Sequence, residues 1–341
     1  MSFFEIFLFA FNAITPIVLL ILLGFGLKRI GFLSDEFLQT ANKFVFNVSL
    51  PVLLFFNVYN IGNLGEIQWN TVIFVLIIIL ILFTSGFVYS KLFIKDNRQK
   101  GVVWQSFYRS NFAIIGLPLS QALGGTEGIA IASILSAFSI PVFNALAVVS
   151  LSVYTSSDDK NKISVKEILL KIAKNPLIIG VFIGLVILGI RQLISVGTDG
   201  EYIFTIKNNL PFLYDTTEML SKIASPLALI VLGGRFRFDA IKGLKKQIIA
   251  GSFARIIFAP ALGIALAILL ANISDFFSFT SAHYAAFVAL FGSPVAVSSA
   301  IMASQMDNDD QLANQILVRT SIASVLTVFV TVVLLKFIKL I

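Results

Sequence analysis

The sequence predicts an all-α membrane protein of ten transmembrane helices, arranged as two inverted five-helix repeats with helices 4 and 9 broken. Three features of the chain lead there: an apolar composition, a one-sided distribution of basic residues, and prolines that recur at matched intervals. Hydrophobic residues make up 57% of the 341 positions and charged residues 13%, with a mean hydropathy of +0.94. Soluble domains hold under half apolar residues and about twice that charge. At roughly 20 apolar residues per crossing, the composition supplies about ten helices and leaves little for a water-soluble domain.

Apolar runs of membrane length place the spans near 6–27, 37–58, 70–94, 102–123, 129–153, 170–190, 211–233, 247–271, 284–304 and 312–335. The first 27 residues contain no Lys or Arg, so the segment reads as a span and not as a cleavable signal. The loops after spans 1, 3, 5 and 7 carry Lys28, Arg29, Lys91, Lys95, Arg98, Lys100, Lys160, Lys162, Lys166, Arg235, Arg237, Lys242, Lys245 and Lys246. Those after spans 2, 4, 6 and 8 carry only Arg191 and Lys207. The positive-inside rule then puts the odd loops in the cytoplasm and both termini outside a plasma (inner) membrane. Trp69 and Trp104 fall at span ends, where amphipathic aromatics favour the interface. The polar stretch near SSDDKNK divides the chain into a first repeat, 1–154, a cytoplasmic linker, 155–169, and a second repeat, 170–341.

Pro16 precedes Gly24 by eight residues, as Pro176 precedes Gly184. Pro51 and Pro118 are 67 apart; Pro226 and Pro294 are 68 apart. These intervals set spans 1, 2 and 4 against spans 6, 7 and 9. Five spans per repeat force opposite topologies, the pattern of inverted-repeat transporters with a midplane site between interrupted helices. A proline inside a helix cannot donate to the carbonyl four residues back and clashes with it, so Pro118 should free the carbonyl of Ile114 and Pro294 that of Leu290.

Absent cysteines and a single histidine, His283, remove disulfides, thiolate metal sites and most imidazole chemistry; no cofactor or metal is expected. No motif for an intramembrane enzyme is present, and ten spans leave no room for the output domain of a sensor. The net charge of +7 belongs to orientation and not to nucleic acid. Within the spans the ionisable residues are mostly basic: Lys43, Arg109, Lys222, Arg255 and Arg319. That bias favours an anionic substrate. Lys43, Arg109, Arg255 and Arg319 lie one to two turns from a cytoplasmic end, within snorkelling reach, and Glu218 and Lys222 are spaced to pair on one helix face. His283 should be interfacial, and Asp307, Asp309 and Asp310 should cap span 10. Asn111, two turns before Pro118, can donate to a carboxylate without the cost of a buried charge.

Asn111-Phe-Ala-Ile-Ile-Gly116-Leu-Pro118, Leu50-Pro51, Asn175-Pro176, Leu232-Gly233, Arg255 five before Pro260, and Gly292-Ser293-Pro294, in this order and spacing, resemble landmarks of the auxin efflux carrier family. The resemblance implies a scaffold of spans 1, 2, 6 and 7, a mobile transport domain of spans 3–5 and 8–10 with spans 4 and 9 crossing, a homodimer, and elevator-type alternating access. Ser299 near the place of a second span 9 proline, Phe138 in span 5 and a short central linker depart from the plant members. A small organic anion, a carboxylate of the malonate or malate type, is therefore expected over auxin-like acids. Asn111, Gly116, Pro118, Ser293, Pro294 and Ser298 are the candidate binding residues, supported by Arg255, Asn175, Pro51 and Lys222. Sodium or proton coupling stays open, including a sodium-coupled symporter of related fold.

Overall fold

The computed structural model describes residues 3–60, 68–154, 170, 173–196, 205–236 and 241–341, which are helical with no strand among them. The linker placed at 155–169 lies outside the described residues. In order, the helices are α1 (Phe3–Arg29), α2 (Asp35–Phe44), α3 (Leu50–Tyr59), α4 (Trp69–Phe93), α5 (Asn97–Tyr108), α6 (Leu117–Ser152), α7 (Pro176–Val196) and α8 (Ile206–Asn209). They continue as α9 (Pro211–Gly234), α10 (Ile241–Phe253), α11 (Ala259–Ile273), α12 (Ser281–Gly292), α13 (Val297–Gln305) and α14 (Asp310–Phe337). Five stretches are long and apolar enough to cross a bilayer alone: Trp69–Phe93, Phe112–Ser152, Pro211–Gly234, Gly243–Ile273 and Asp310–Phe337. The second of these turns at Gly125 (φ 62°, ψ −148°), a backbone conformation open to glycine, in the Gly-rich gap expected between two spans.

Helix starts follow local chemistry. Ser34, Asp96 and Asp309 each accept a first-turn amide, from Phe37, Arg98 and Leu312 respectively, which satisfies donors the helix itself leaves open. Asn175 does the same for Leu177 at 2.9 Å, with Pro176 beginning α7.

Three prolines, one of them the Pro118 expected to interrupt span 4, are handled in a common way. Pro51, Pro118 and Pro260 each stand second in a helix, behind five-residue π-helical turns at Val45–Ser49, Phe112–Gly116 and Ala254–Phe258. The wider turn shifts the carbonyl that the ring would otherwise strike, so the helix passes through. Pro118 therefore does not interrupt its span; the interruption lies earlier, at Arg109–Asn111.

Glycines set the tightest packing. Gly24 of α1 lies against the Ile230 backbone of α9, and Gly233 of α9 lies against the Ile21 backbone of α1. Gly180 and Gly184 of α7 lie in the same manner against Pro51 and against Phe55 and Val58 of α3. A second body of buried side chains comes wholly from α4 to α6 with the Phe112–Gly116 turn and from α11, α12 and α14, including Phe74, Phe112, Phe287 and Phe291. Leu19, Phe182, Leu326 and Leu334 are among many exposed apolar side chains, the surface of a protein solvated by lipid.

Candidate functional site

Two helices are truly broken. α5 stops at Tyr108 and the chain runs extended to Asn111; α12 stops at Gly292 and runs extended from Ser293 to Ala296. The two breaks meet: Ser110 and Val295 form an antiparallel bridge, the Asn111 amide donates to the Pro294 carbonyl at 2.8 Å, and the Ala296 amide donates to the Arg109 carbonyl at 3.3 Å. The Val295 amide donates to Thr320 Oγ1 at 3.3 Å. Unpaired backbone in hydrocarbon costs several kcal/mol per group, so each break supplies what the other lacks.

Arg109 sits in this crossing and is 1% exposed. The distance rule for snorkelling fails here because the helix breaks at this residue and holds it inside. Its guanidinium donates to Gln105 Oε1 (3.1 Å), Asn144 Oδ1 (2.8 Å), Ser298 Oγ (3.0 Å) and Met302 Sδ (2.9 Å). All four acceptors are neutral. The ion pairs among the described residues, Lys28–Asp35, Glu218–Lys222 and Arg235–Asp310, are elsewhere. Asn111 is 4% exposed, and its side-chain Nδ2 has no hydrogen-bond partner. The Ser110 hydroxyl is likewise buried and unpartnered.

These groups line a cavity of about 50 Å³, room for a few waters. Its polar lining is Arg109, Ser110, Asn111, Asn144 and Ser298, with Ser225 contributed by α9, and its apolar lining includes Leu50, Leu53, Leu54, Ile140 and Phe143. Ala296, Val297 and Ser298 bring the start of α13 to the wall, and Ala113 and Ile114 bring the turn that follows the first break. A helix start presents amides without intrahelical acceptors and the positive end of the helix dipole. The lining thus offers a cation at Arg109 and an unpartnered donor at Asn111, while Asn144 Oδ1 and Ser298 Oγ already accept from Arg109. Among the described residues no acidic one lines the cavity.

The other expected site residues take different places. Ser298 and Asn111 line the cavity, and Pro294 reaches it through its carbonyl bond to Asn111. Ser293 is buried beside it, its hydroxyl donating to the Ala289 carbonyl at 2.6 Å. Gly116 packs on Phe112 and the Ala289 backbone, while Pro118 is exposed, and neither lines the cavity. Arg255 is 0% exposed and donates to the Leu290 and Phe291 carbonyls at the end of α12; its Nε and Nη1 have no partner. It therefore binds the open carbonyls of the broken helix rather than snorkelling. Asn175 caps α7, Pro51 lies under Gly180, and Lys222 is exposed and paired with Glu218 at 2.8 Å. Lys43 and Arg319 are exposed. Trp104 is 2% exposed, its indole donating to the Phe83 carbonyl, and is not at an interface. His283 is also buried, its ring engaged by Thr280 and Gln68.

Asn144 and Ser225 escaped the sequence reading. A lone amide in the apolar run FSIPVFNALAVVS is the one signal that could have singled out Asn144.

A search of the curated proteins finds no match to the chain. A family model described as membrane transport protein matches residues 9–332, nearly the whole sequence. Multiple apolar helices, crossed helix breaks and that match make this a multi-pass membrane transporter, and the chain belongs to the auxin efflux carrier family.

Proposed function

We propose that the chain is a secondary carrier for small organic anions and that the crossing of the two helix breaks is its substrate site. The observation that carries this reading is Arg109, a buried guanidinium with only neutral acceptors, facing a cavity beside the unpartnered Asn111 amide. A desolvated cation attracts an anion far more strongly than one in water. The donors suit a single carboxylate head, and the apolar lining suits an uncharged remainder better than a second charge. The carrier lies in the plasma (inner) membrane with its basic loops cytoplasmic and its termini outside.

Two inverted repeats, 1–154 and 170–341, organise the site in this reading. Support comes from the glycine crossings: Gly24 meets Ile230 as Gly184 meets Phe55, and the matched pairs Pro51/Pro226, Phe55/Ile230 and Val58/Gly233 share one sequence offset. Spans 1, 2, 6 and 7 act as the scaffold, through which the chain dimerises. Spans 3–5 and 8–10 move as the transport body, for which a buried core drawn only from those spans is the supporting feature. With Leu50, Leu53, Leu54 and Ser225 on the scaffold side, such a movement carries the anion from one face of the membrane to the other.

The test is thermal stabilisation of the purified protein by a panel of monocarboxylates, dicarboxylates and amines, with and without sodium, since a ligand of the folded state raises its melting temperature. Carboxylates should stabilise and amines should not; stabilisation by amines alone overturns the anion site. Asn111→Ala should keep the fold and weaken carboxylate binding about 10- to 100-fold, the worth of a hydrogen bond to a charged group. Unchanged affinity in that variant would remove Asn111 from the site.

A further inference from the structure

A cavity far larger than the one at the crossing lies elsewhere on the molecule. A groove of about 1190 Å³ runs along the outer surface between α4 and α10, walled by residues such as Ile77, Leu80, Val88, Ile249 and Phe253, with Lys246 its one charged lining residue among the described residues. Thr84 and Ser85 also line it, but their hydroxyls donate to the Leu80 and Ile81 carbonyls within α4, leaving an apolar wall. From Ile77 to Phe93 the α4 wall is about 24 Å long at the helical rise. One leaflet's hydrocarbon is about 15 Å thick, so the groove spans a full leaflet.

Its charge lies at one end. Lys246 lies in the first half of α10 and lines the groove together with Phe93, the last residue of α4; Lys245 adjoins it, and Lys91 and Lys95 flank the end of α4. These four lysines are exposed, and none joins an ion pair among the described residues. Asp96, the acid adjoining Lys95, is engaged as the cap of α5. A second copy seated on the same groove would bring two such lysine sets together, which opposes self-association there.

We propose that this groove is a binding site for an anionic phospholipid of the leaflet on the basic side, its headgroup at Lys246 and one acyl chain along α4 and α10. Lysine stems cover apolar surface while their ammonium groups reach the headgroup layer, and each basic residue near an anionic surface contributes about fivefold in affinity. The site is separate from the Arg109 cavity and rests only on the chain being a membrane protein.

Native mass spectrometry of the purified full chain, exchanged into equal mixtures of phosphatidylglycerol and phosphatidylcholine, tests it. The wild type should retain phosphatidylglycerol preferentially. Lys246→Gln should cut that preference about fivefold, and Lys245→Gln/Lys246→Gln further, with unchanged melting in pure phosphatidylcholine. Ala250→Trp, which fills the groove with a ring, should lower retention of both lipids. Equal retention of the two lipids by the wild type, indifference to the lysine changes in a folded protein, or cross-linking of Ala250→Cys to a second copy would overturn the proposal.

Discussion

Arg109→Gln is expected to abolish saturable binding of carboxylates while leaving the protein folded, with a melting temperature equal to or above that of the wild type. The two halves of that expectation have different causes. Burying a cation without an ionic partner is costly, so a shorter neutral residue relieves the fold. Glutamine keeps an amide donor at the depth of the arginine Nε and leaves room for a water to reach the Gln105, Asn144 and Ser298 oxygens that now accept from the guanidinium. Binding goes the other way: a unit charge about 4 Å from a carboxylate, at the effective dielectric of a protein interior, interacts by about 4 kcal/mol. Its loss corresponds to roughly a thousandfold in affinity, beyond the range of most equilibrium assays. Arg109→Lys separates charge from geometry, since an ammonium keeps the charge and gives up the planar fork that joins three side chains of two other helices. It should retain weak, measurable binding. Calorimetric titration of the three proteins with the strongest stabiliser from the carboxylate panel decides the matter. Undiminished affinity in Arg109→Gln would place the anion elsewhere, and unfolding of both variants would make Arg109 structural.

Arg109 also marks where the sequence is legible and where it is not. Apolar runs locate the helices to within a few residues, as at α4 and α9, because lipid demands an unbroken apolar stretch of known length. A capping aspartate places the start of α14 for an equally local reason. The depth of Arg109 is not local. It depends on the helix stopping at Tyr108, which no proline in that span enforces, and on Val295 being present 185 positions later to pair with Ser110. Pro118 suggested a break two turns too late because a π-helical turn absorbs its ring. Asn111 could be picked out as a lone donor near a glycine and a proline. Its neighbour Arg109 was misjudged because distance along a span equals depth only in an unbroken helix.

Gly233→Ala should destabilise the protein by about 2–4 kcal/mol, even though alanine is the better helix former by about 1 kcal/mol. A methyl at Gly233 would stand 1.9 Å from the Ile21 carbonyl oxygen and 2.8 Å from its carbon. Both are backbone atoms of α1, so no rotamer change relieves the clash and the two helices must separate. Separation also opens the reciprocal contact, in which a Cβ on Gly24 would meet the Ile230 oxygen at 2.1 Å. In lipid this loss is uncompensated, because association of membrane helices rests on close packing between small residues and not on a hydrophobic driving force. Gly26 provides the internal control: it lies two residues beyond Gly24 on α1, and a Cβ there would meet nothing within 4 Å. Gly26→Ala should be neutral or slightly stabilising, by helix propensity and a restricted unfolded chain. Thermal melts followed by fluorescence size-exclusion chromatography should show Gly233→Ala and Gly24→Ala losing the folded peak well below the wild-type temperature, with Gly26→Ala tracking the wild type. Equal behaviour of all three alanine variants would contradict the α1 and α9 crossing, and with it the rigid scaffold against which the anion site is proposed to move.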